Sequence, residues 1–99
     1  MNFHSLTIPT PQIAVLDRGF VYIGLCAVED GTLIITRAQN VRRWGTTQGL
    51  GELAHSGKTD STKLDAAGTV RVPLSSVIHL IDCSPAAWPA LCATPVEAA

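Results

Sequence analysis

The residues with the most suggestive chemistry follow one another near the middle of the chain. Arginine side chains bind phosphate oxygens through paired N–H groups, and a flat indole stacks on a nucleotide base. Glycines let backbone N–H groups converge on an anion, and threonine hydroxyls add further donors. The segment 37–51 contains three arginines and no acid before residue 52, so a neutral chain has a local positive region here. We therefore predict a ligand site for a phosphate joined to a base, formed by Arg42, Arg43, Trp44, Gly45, Thr46 and Thr47.

The same residues also have a structural interpretation. Because Arg42 and Arg43 are adjacent, their side chains point in opposite directions from an extended backbone, and only one of them faces a given ligand. The other arginine is then free to pair with Glu52 or Asp65. Trp44 follows a predicted strand of a small barrel, where an indole often closes one end of the core.

Neither a metal site nor a catalytic centre is indicated by the sequence. The cysteines form no C-x-x-C motif, and no two histidines stand three or four residues apart. Ser56 follows His55, but adjacency in sequence does not aim a base at a nucleophile. We therefore expect free thiols, no metal, no cofactor and no enzymatic activity. The three cysteines are Cys26, Cys83 and Cys92, and the three histidines are His4, His55 and His79.

Composition limits the class of protein. The chain has 99 residues, 46% of them hydrophobic and 15% charged, which suits one folded domain with a small core. The net charge of −1 provides no overall positive field, so nucleic-acid binding is not expected. No apolar run approaches the ~20 residues of a membrane helix, and the uncharged start lacks the pattern of a signal peptide. We expect a protein that works inside a cell and away from the membrane.

Five short apolar runs predict the fold. They cover residues 13–16, 20–28, 32–37, 69–72 and 77–83. Asp30-Gly31, between the second and third runs, is a strong signal for a tight hairpin. We predict a mainly all-β protein, namely a small five-stranded antiparallel barrel of SH3-like or Sm-like type, with a long capping excursion at 38–66.

The ends of the chain are predicted to lie outside this barrel. Residues 1–12 are interpreted as an N-terminal arm, residues 13–83 as the single domain, and residues 84–99 as a Pro/Ala-rich tail. Trp88 either anchors the tail or contacts a partner. Because both faces of residues 20–28 are apolar, we predict a homo-oligomer. The competing interpretation is that residues 1–12 and 84–92 cover the outer face within one chain.

Several segments resemble a family of small phage-encoded proteins. The family shows a G-V-x-x-G strand, a hairpin, an A-x-x-V-x-x-W element and an L-x-E-L-A segment. Here the corresponding runs are G-F-V-Y-I-G at 19–24, A-Q-N-V-R-R-W at 38–44 and L-G-E-L-A at 50–54, followed by I-H-L-I-D-C at 78–83. The resemblance covers about residues 13–83.

The resemblance implies a phage accessory protein of the anti-defence type, acting in the cytoplasm of the host bacterium. Such a protein sequesters a nucleotide-like signalling molecule without catalysis. One alternative is a protein–protein interaction module that inhibits a host protein, with Trp88 and the arms at the contact. Another is an Sm-like RNA-binding protein or a structural component of the phage.

Overall fold

The computed structural model describes residues 10–92, with Cys92 described in its backbone only. Two short 3₁₀ turns, Asp17–Gly19 and Leu74–Ser76, connect strands. The regular elements are β1 (Thr10–Leu16), β2 (Val21–Glu29), β3 (Thr32–Arg43), α1 (Leu50–Ser56), β4 (Lys63–Pro73), β5 (Val77–Asp82) and α2 (Pro89–Cys92).

The five strands form one antiparallel sheet in the order β4-β3-β2-β1-β5. This confirms the predicted class, a small five-stranded antiparallel barrel-like fold. The predicted hairpin joins β2 and β3, and Asp30 and Gly31 both have positive φ, at 50° and 77°. Positive φ at both central residues is typical of a type I′ turn, whose twist matches that of the strands.

The excursion from the sheet is shorter than the predicted 38–66. β3 continues to Arg43 and β4 already begins at Lys63, because residues 38–43 pair with residues 63–68 across the sheet. Only residues 44–62 leave the sheet, and α1 lies within them. The predicted boundaries failed because residues 63–68 are mostly exposed and combine two charged residues with Leu64, two alanines and a glycine, so their sequence lacks the apolar alternation of a half-buried strand.

A bulge in β3 bends the sheet beside Gly24. The β2–β3 register shifts between Ile23 and Leu25, and Arg37 in β3 adopts a φ of 53°. A Cβ atom on Gly24 would stand 2.6 Å from Cγ2 of Ile35 and 2.8 Å from the Thr36 carbonyl oxygen. Only glycine allows the two backbones to approach so closely.

The bend divides the apolar side chains between two cores. β2 shows the division that its alternation predicts: Val21 and Ile23 enter one core, and Cys26 enters the other. The buried residues of the first core are Ala14, Leu16, Cys26, Leu33, Ile35 and Ala38. Those of the core on the other face are Ile13, Val21, Ile23, Val41, Leu53, Ala54, Cys83, Trp88 and Leu91.

Both ends of the described chain belong to the fold more closely than the predicted boundaries allow. Thr10 to Gln12 are part of β1, so the boundary after residue 12 falls inside a strand. Trp88 and Leu91 are buried in the second core, so the first part of the 84–99 tail is packed. Their apolar side chains cover the outer face of β2 together with α1, which is the intrachain arrangement considered above. Residues 1–9 and 93–99 lie outside the described part, and self-association stays a prediction.

Two further features concern membranes and thiols. No helix within residues 10–92 is long and apolar enough to cross a membrane. Cys26 and Cys83 are both buried, and the position of Cys26 confirms its interpretation as a small apolar core residue. Burial raises the pKa of the Cys26 thiol from 9.0 to about 12.

The close approach at Gly24 makes the first prediction. Gly24→Ala should destabilise the protein by about 2–3 kcal/mol, because the added methyl meets backbone as well as a side chain. Gly51→Ala is the matched control, since its Cβ would enter open space within α1 and alanine favours helix. Urea unfolding of both variants measures the difference. Equal stability of the two variants would contradict the proposed role of Gly24.

The buried thiol makes the second prediction. The unfolded chain releases the Cys26 proton at about its ordinary pKa, whereas the folded chain holds it to about pH 12. The contribution of this thiol to stability is therefore complete below pH 9 and is lost as the pH rises from 9 towards 12. Unfolding of the parent and of Cys26→Ala over this range should show the steeper decline in the parent. Parallel curves would exclude the linkage.

Candidate functional site

The candidate site lies where the chain leaves β3 and returns to β4. Two threonine hydroxyls hold the departing backbone: Thr62 donates to the Trp44 carbonyl and Thr59 to the Gly45 carbonyl, each at 2.6 Å. Gly45 has a φ of 71°, and a Cβ on it would stand 2.4 Å from the carbonyl carbon of Ser61. The two ends of the excursion are thus packed together, so the side chains on them have a defined position.

Arg42 is engaged in an ion pair on the sheet surface. Its Nε donates to Oδ2 of Asp65 at 2.8 Å, and its Nη2 donates to Oδ1 at 3.3 Å. This is one of the two pairings that the sequence suggested for an arginine here. The predicted divergence of the adjacent arginines therefore leaves Arg43 as the candidate for contact with a ligand.

Arg43 stands directly opposite Lys63 in the β3–β4 register. Both residues are exposed, and neither forms an ion pair or a side-chain hydrogen bond within residues 10–92. The register shifts between Val41 and Arg43, and Arg43 is paired with Lys63 at this irregularity. Like charges on paired residues of neighbouring strands repel. We call Arg43, Trp44 and Lys63 the basic corner. An anion bound there would relieve the repulsion.

Lys63 was not among the residues predicted from the sequence. The fourth strand was expected to begin at residue 69, which leaves Lys63 in a loop of unknown position. Its partnership with Arg43 follows only from the register of two strands that are far apart in sequence. A lysine followed by one apolar residue, Leu64, is too short a pattern to predict which residue of β3 it pairs with.

Trp44 does not close the end of the core. Its side chain is 44% exposed, whereas core residues such as Ile23 and Leu53 are fully buried. Its Cζ3 atom lies 3.9 Å from the place where a Cβ on Gly49 would stand, so part of the ring rests on the loop. The exposed remainder of the indole is available for stacking against a flat ligand.

The remaining predicted donors are largely used within the loop. Thr46 donates its hydroxyl to the Gly49 carbonyl at 2.6 Å. Thr47 and the backbone N–H of Gln48 donate to Oε1 of Glu52, at 3.1 Å and 2.9 Å. Glu52 is the third residue of α1, a position from which a glutamate commonly reaches back to amides before the helix. The chain's own carboxylate therefore lies where the glycines and threonines were predicted to bind a phosphate.

Trp88 is an anchor and not an exposed contact. Its side chain is 8% exposed, and its indole N–H donates to the carbonyls of Leu53 and Ala54 at 3.1 Å and 3.2 Å. The backbone N–H of Ser84 donates to the same Ala54 carbonyl. The hypothesis that Trp88 contacts a partner does not fit this burial, while its role in seating the tail does.

Residues 10–92 contain no group of three or more histidine, cysteine, aspartate or glutamate side chains placed to hold a metal ion. The arrangement at the basic corner offers cations and an aromatic surface. Its chemistry is that of binding.

No protein-family model matches the sequence, and no curated protein matches it. One chain of a solved structure, the crystal structure of the NatC complex bound to CoA, is similar over 92% of this chain and 99% of its own length. The two chains share 19% sequence identity, with a TM-score of 0.49. The function of this chain is therefore argued from its own residues.

The two tryptophans give a third prediction. Trp88→Phe should lower stability by about 2 kcal/mol, because it removes the buried indole hydrogen bond and leaves a space in the core, while the Leu53 and Ala54 carbonyls each keep a backbone donor. Trp44→Phe should change stability by no more than about 0.5 kcal/mol, because Trp44 is 44% exposed and belongs to neither core. Urea unfolding of both variants tests this. A larger loss of stability for Trp44→Phe than for Trp88→Phe would support the interpretation that Trp44 closes one end of the core.

Proposed function

We propose that this protein is a non-catalytic binding protein that sequesters a nucleotide-like molecule at the basic corner. The carrying observation is the placement of Arg43 directly opposite Lys63 with no acidic partner among the described residues. Two like charges in this position oppose folding, and a bound phosphate removes the opposition. The adjacent, exposed Trp44 offers a surface on which a base stacks.

The form of the corner favours a small phosphorylated ligand over RNA. It provides two cations that have no ion pair within the described residues, on a chain of net charge −1, which suits one phosphate group. RNA binding at physiological salt relies on many phosphate contacts spread over a surface.

The biological setting that we propose rests on the sequence motifs alone. The resemblance of residues 13–83 to small phage-encoded proteins suggests an anti-defence role in the cytoplasm of a host bacterium. Sequestration of a signalling nucleotide fits that role, because it requires a binding site and no catalytic group.

A protein–protein interaction module is the second candidate. Besides Trp44, three large hydrophobic side chains within residues 10–92 are exposed: Phe20 at 51%, Leu74 at 39% and Ile78 at 61%. Ile78 lies on β5, an edge strand that pairs only with β1 in the described sheet. Unpaired strand edges readily accept another chain, so either a host protein or a second copy would find backbone groups here. Trp88 plays no part in this version, because it is buried.

Unequal effects of the two adjacent arginines are the fourth prediction. Titration with cyclic and ADP-ribose-type nucleotides should identify a ligand by calorimetry and thermal shift. Arg43→Ala and Lys63→Ala should each weaken that ligand by about 10–100-fold, the cost of one charge-assisted hydrogen bond. Arg42→Ala should weaken it less, because this side chain already binds Asp65.

Arg71→Ala is the matched control for charge. Arg71 lies eight residues from Lys63 on the same strand, about 27 Å away along extended backbone. Its loss should leave binding unchanged. The proposal fails if no nucleotide in the panel binds, or if Arg43→Ala binds as tightly as the parent. A host protein captured by the edge of β5, and lost on Ile78→Lys, would favour the second candidate.

A further inference from the structure

A second concave site lies between the sheet and the C-terminal segment. It is a cavity of about 250 Å³. Its walls include the apolar side chains of Leu64, Trp88 and Leu91, and two polar side chains, Gln39 and Lys58, also line it. Binding pockets commonly combine an apolar wall with a few polar groups that fix the orientation of the ligand.

The walls of this cavity are held in place by hydrogen bonds. The indole N–H of Trp88 donates to two carbonyls at the end of α1. Arg37, in the bulge of β3, donates from Nη1 to the carbonyls of Ala90 and Leu91, at 3.2 Å and 3.0 Å. The C-terminal segment is thus attached to the core at one point and to the sheet at another. A cavity fixed in this way needs little rearrangement to take up a ligand.

The two polar side chains have unused hydrogen-bonding capacity. Gln39 is half-buried and Lys58 is exposed, and neither makes a side-chain hydrogen bond or ion pair within residues 10–92. Gly57 brings Lys58 to the rim: it is buried with a φ of 90°, and a Cβ on it would stand 3.1 Å from the Ala87 carbonyl oxygen. One ammonium group and one amide N–H therefore remain to meet an anion at the edge of an apolar cavity.

We propose that this cavity binds a small monocarboxylate with an apolar body. The carboxylate would accept hydrogen bonds from Lys58 and Gln39, and the body would pack against Leu64, Trp88 and Leu91. A single cation matches a single negative charge. The volume is below the ~300–1,000 Å³ of sites for drug-sized molecules, so the ligand is a short acid and not a long lipid chain.

This site is separate from the basic corner. Lys63 and Leu64 are successive residues of β4, and successive side chains of a strand lie on opposite faces of the sheet. The cavity includes Leu64, whereas the basic corner includes Lys63. The proposed acid site and the proposed nucleotide site can therefore be tested independently.

The chain offers an internal reporter for the test. Of its two tryptophans, Trp44 belongs to the basic corner and Trp88 lines the cavity. In a Trp44→Phe background, the emission of Trp88 reports on the cavity alone. Titration with hexanoate, and with the neutral hexanamide of similar shape, should shift this emission to saturation. Hexanoate should bind more tightly.

Three variants in the same background assign the contacts. Lys58→Met should weaken hexanoate about tenfold and leave hexanamide unchanged, because only the charge partner is lost. Gln39→Glu keeps the side-chain shape and adds a carboxylate to the cavity. It should therefore also weaken the binding of hexanoate. Lys63→Met is the matched control, because it removes an equal charge on the opposite face. It should leave the affinity for hexanoate unchanged.

Two results would overturn the proposal. If neither probe changes Trp88 emission at millimolar concentration, the cavity takes up no such acid. If Lys58→Met and Lys63→Met reduce hexanoate binding equally, the acid responds to general charge and not to the cavity. Nucleotide binding at the basic corner is measured separately through Arg43→Ala, so either failure is distinguishable from a failure of the proposed function.

Discussion

The close approach of two backbones at Gly24 is the constraint on which the rest of the structure depends. β3 needs one extra residue opposite this glycine to bend, and no side chain larger than hydrogen fits between the strands. The bulge changes which face each following residue occupies. Leu33 and Ile35 therefore enter the first core, whereas Val41 enters the second core on the other face. The same bulge places Arg37 against the carbonyls of the C-terminal segment.

The second core depends on that C-terminal segment more than its composition suggests. A sheet with two apolar faces needs cover on both, and a chain of 99 residues has little material to supply it. Trp88 meets this need because one side chain both fills the core and donates to the end of α1. A single large aromatic thus converts a proline- and alanine-rich stretch into part of the domain.

The local parts of this fold could be predicted from sequence, and the long-range parts could not. The Asp30-Gly31 turn and the alternation of β2 are determined by neighbouring residues, and both were predicted correctly. The bulge at Arg37 and the early start of β4 at Lys63 depend on pairing between distant segments. Their residues are polar or mixed, so no apolar pattern marks them. The acceptor of Thr47 and Gln48 was not predicted for a different reason: Glu52 is only a few residues away, but its role as their acceptor depends on α1 beginning at Leu50.

The charged side chains are likewise placed by both local and distant contacts. The Glu52 carboxylate accepts hydrogen bonds from its own loop, and Asp65 forms an ion pair with Arg42. Lys58, Arg43 and Lys63 are left without an acidic partner within residues 10–92, two of them opposite one another on β3 and β4 and one at the rim of the cavity. A net charge of −1 therefore conceals two separate sites of positive potential. Because the strand register fixes one site and a buried glycine fixes the other, each presents its cations without a rearrangement of the fold. Preformed cations of this kind favour binding, since little ordering cost remains when an anion arrives.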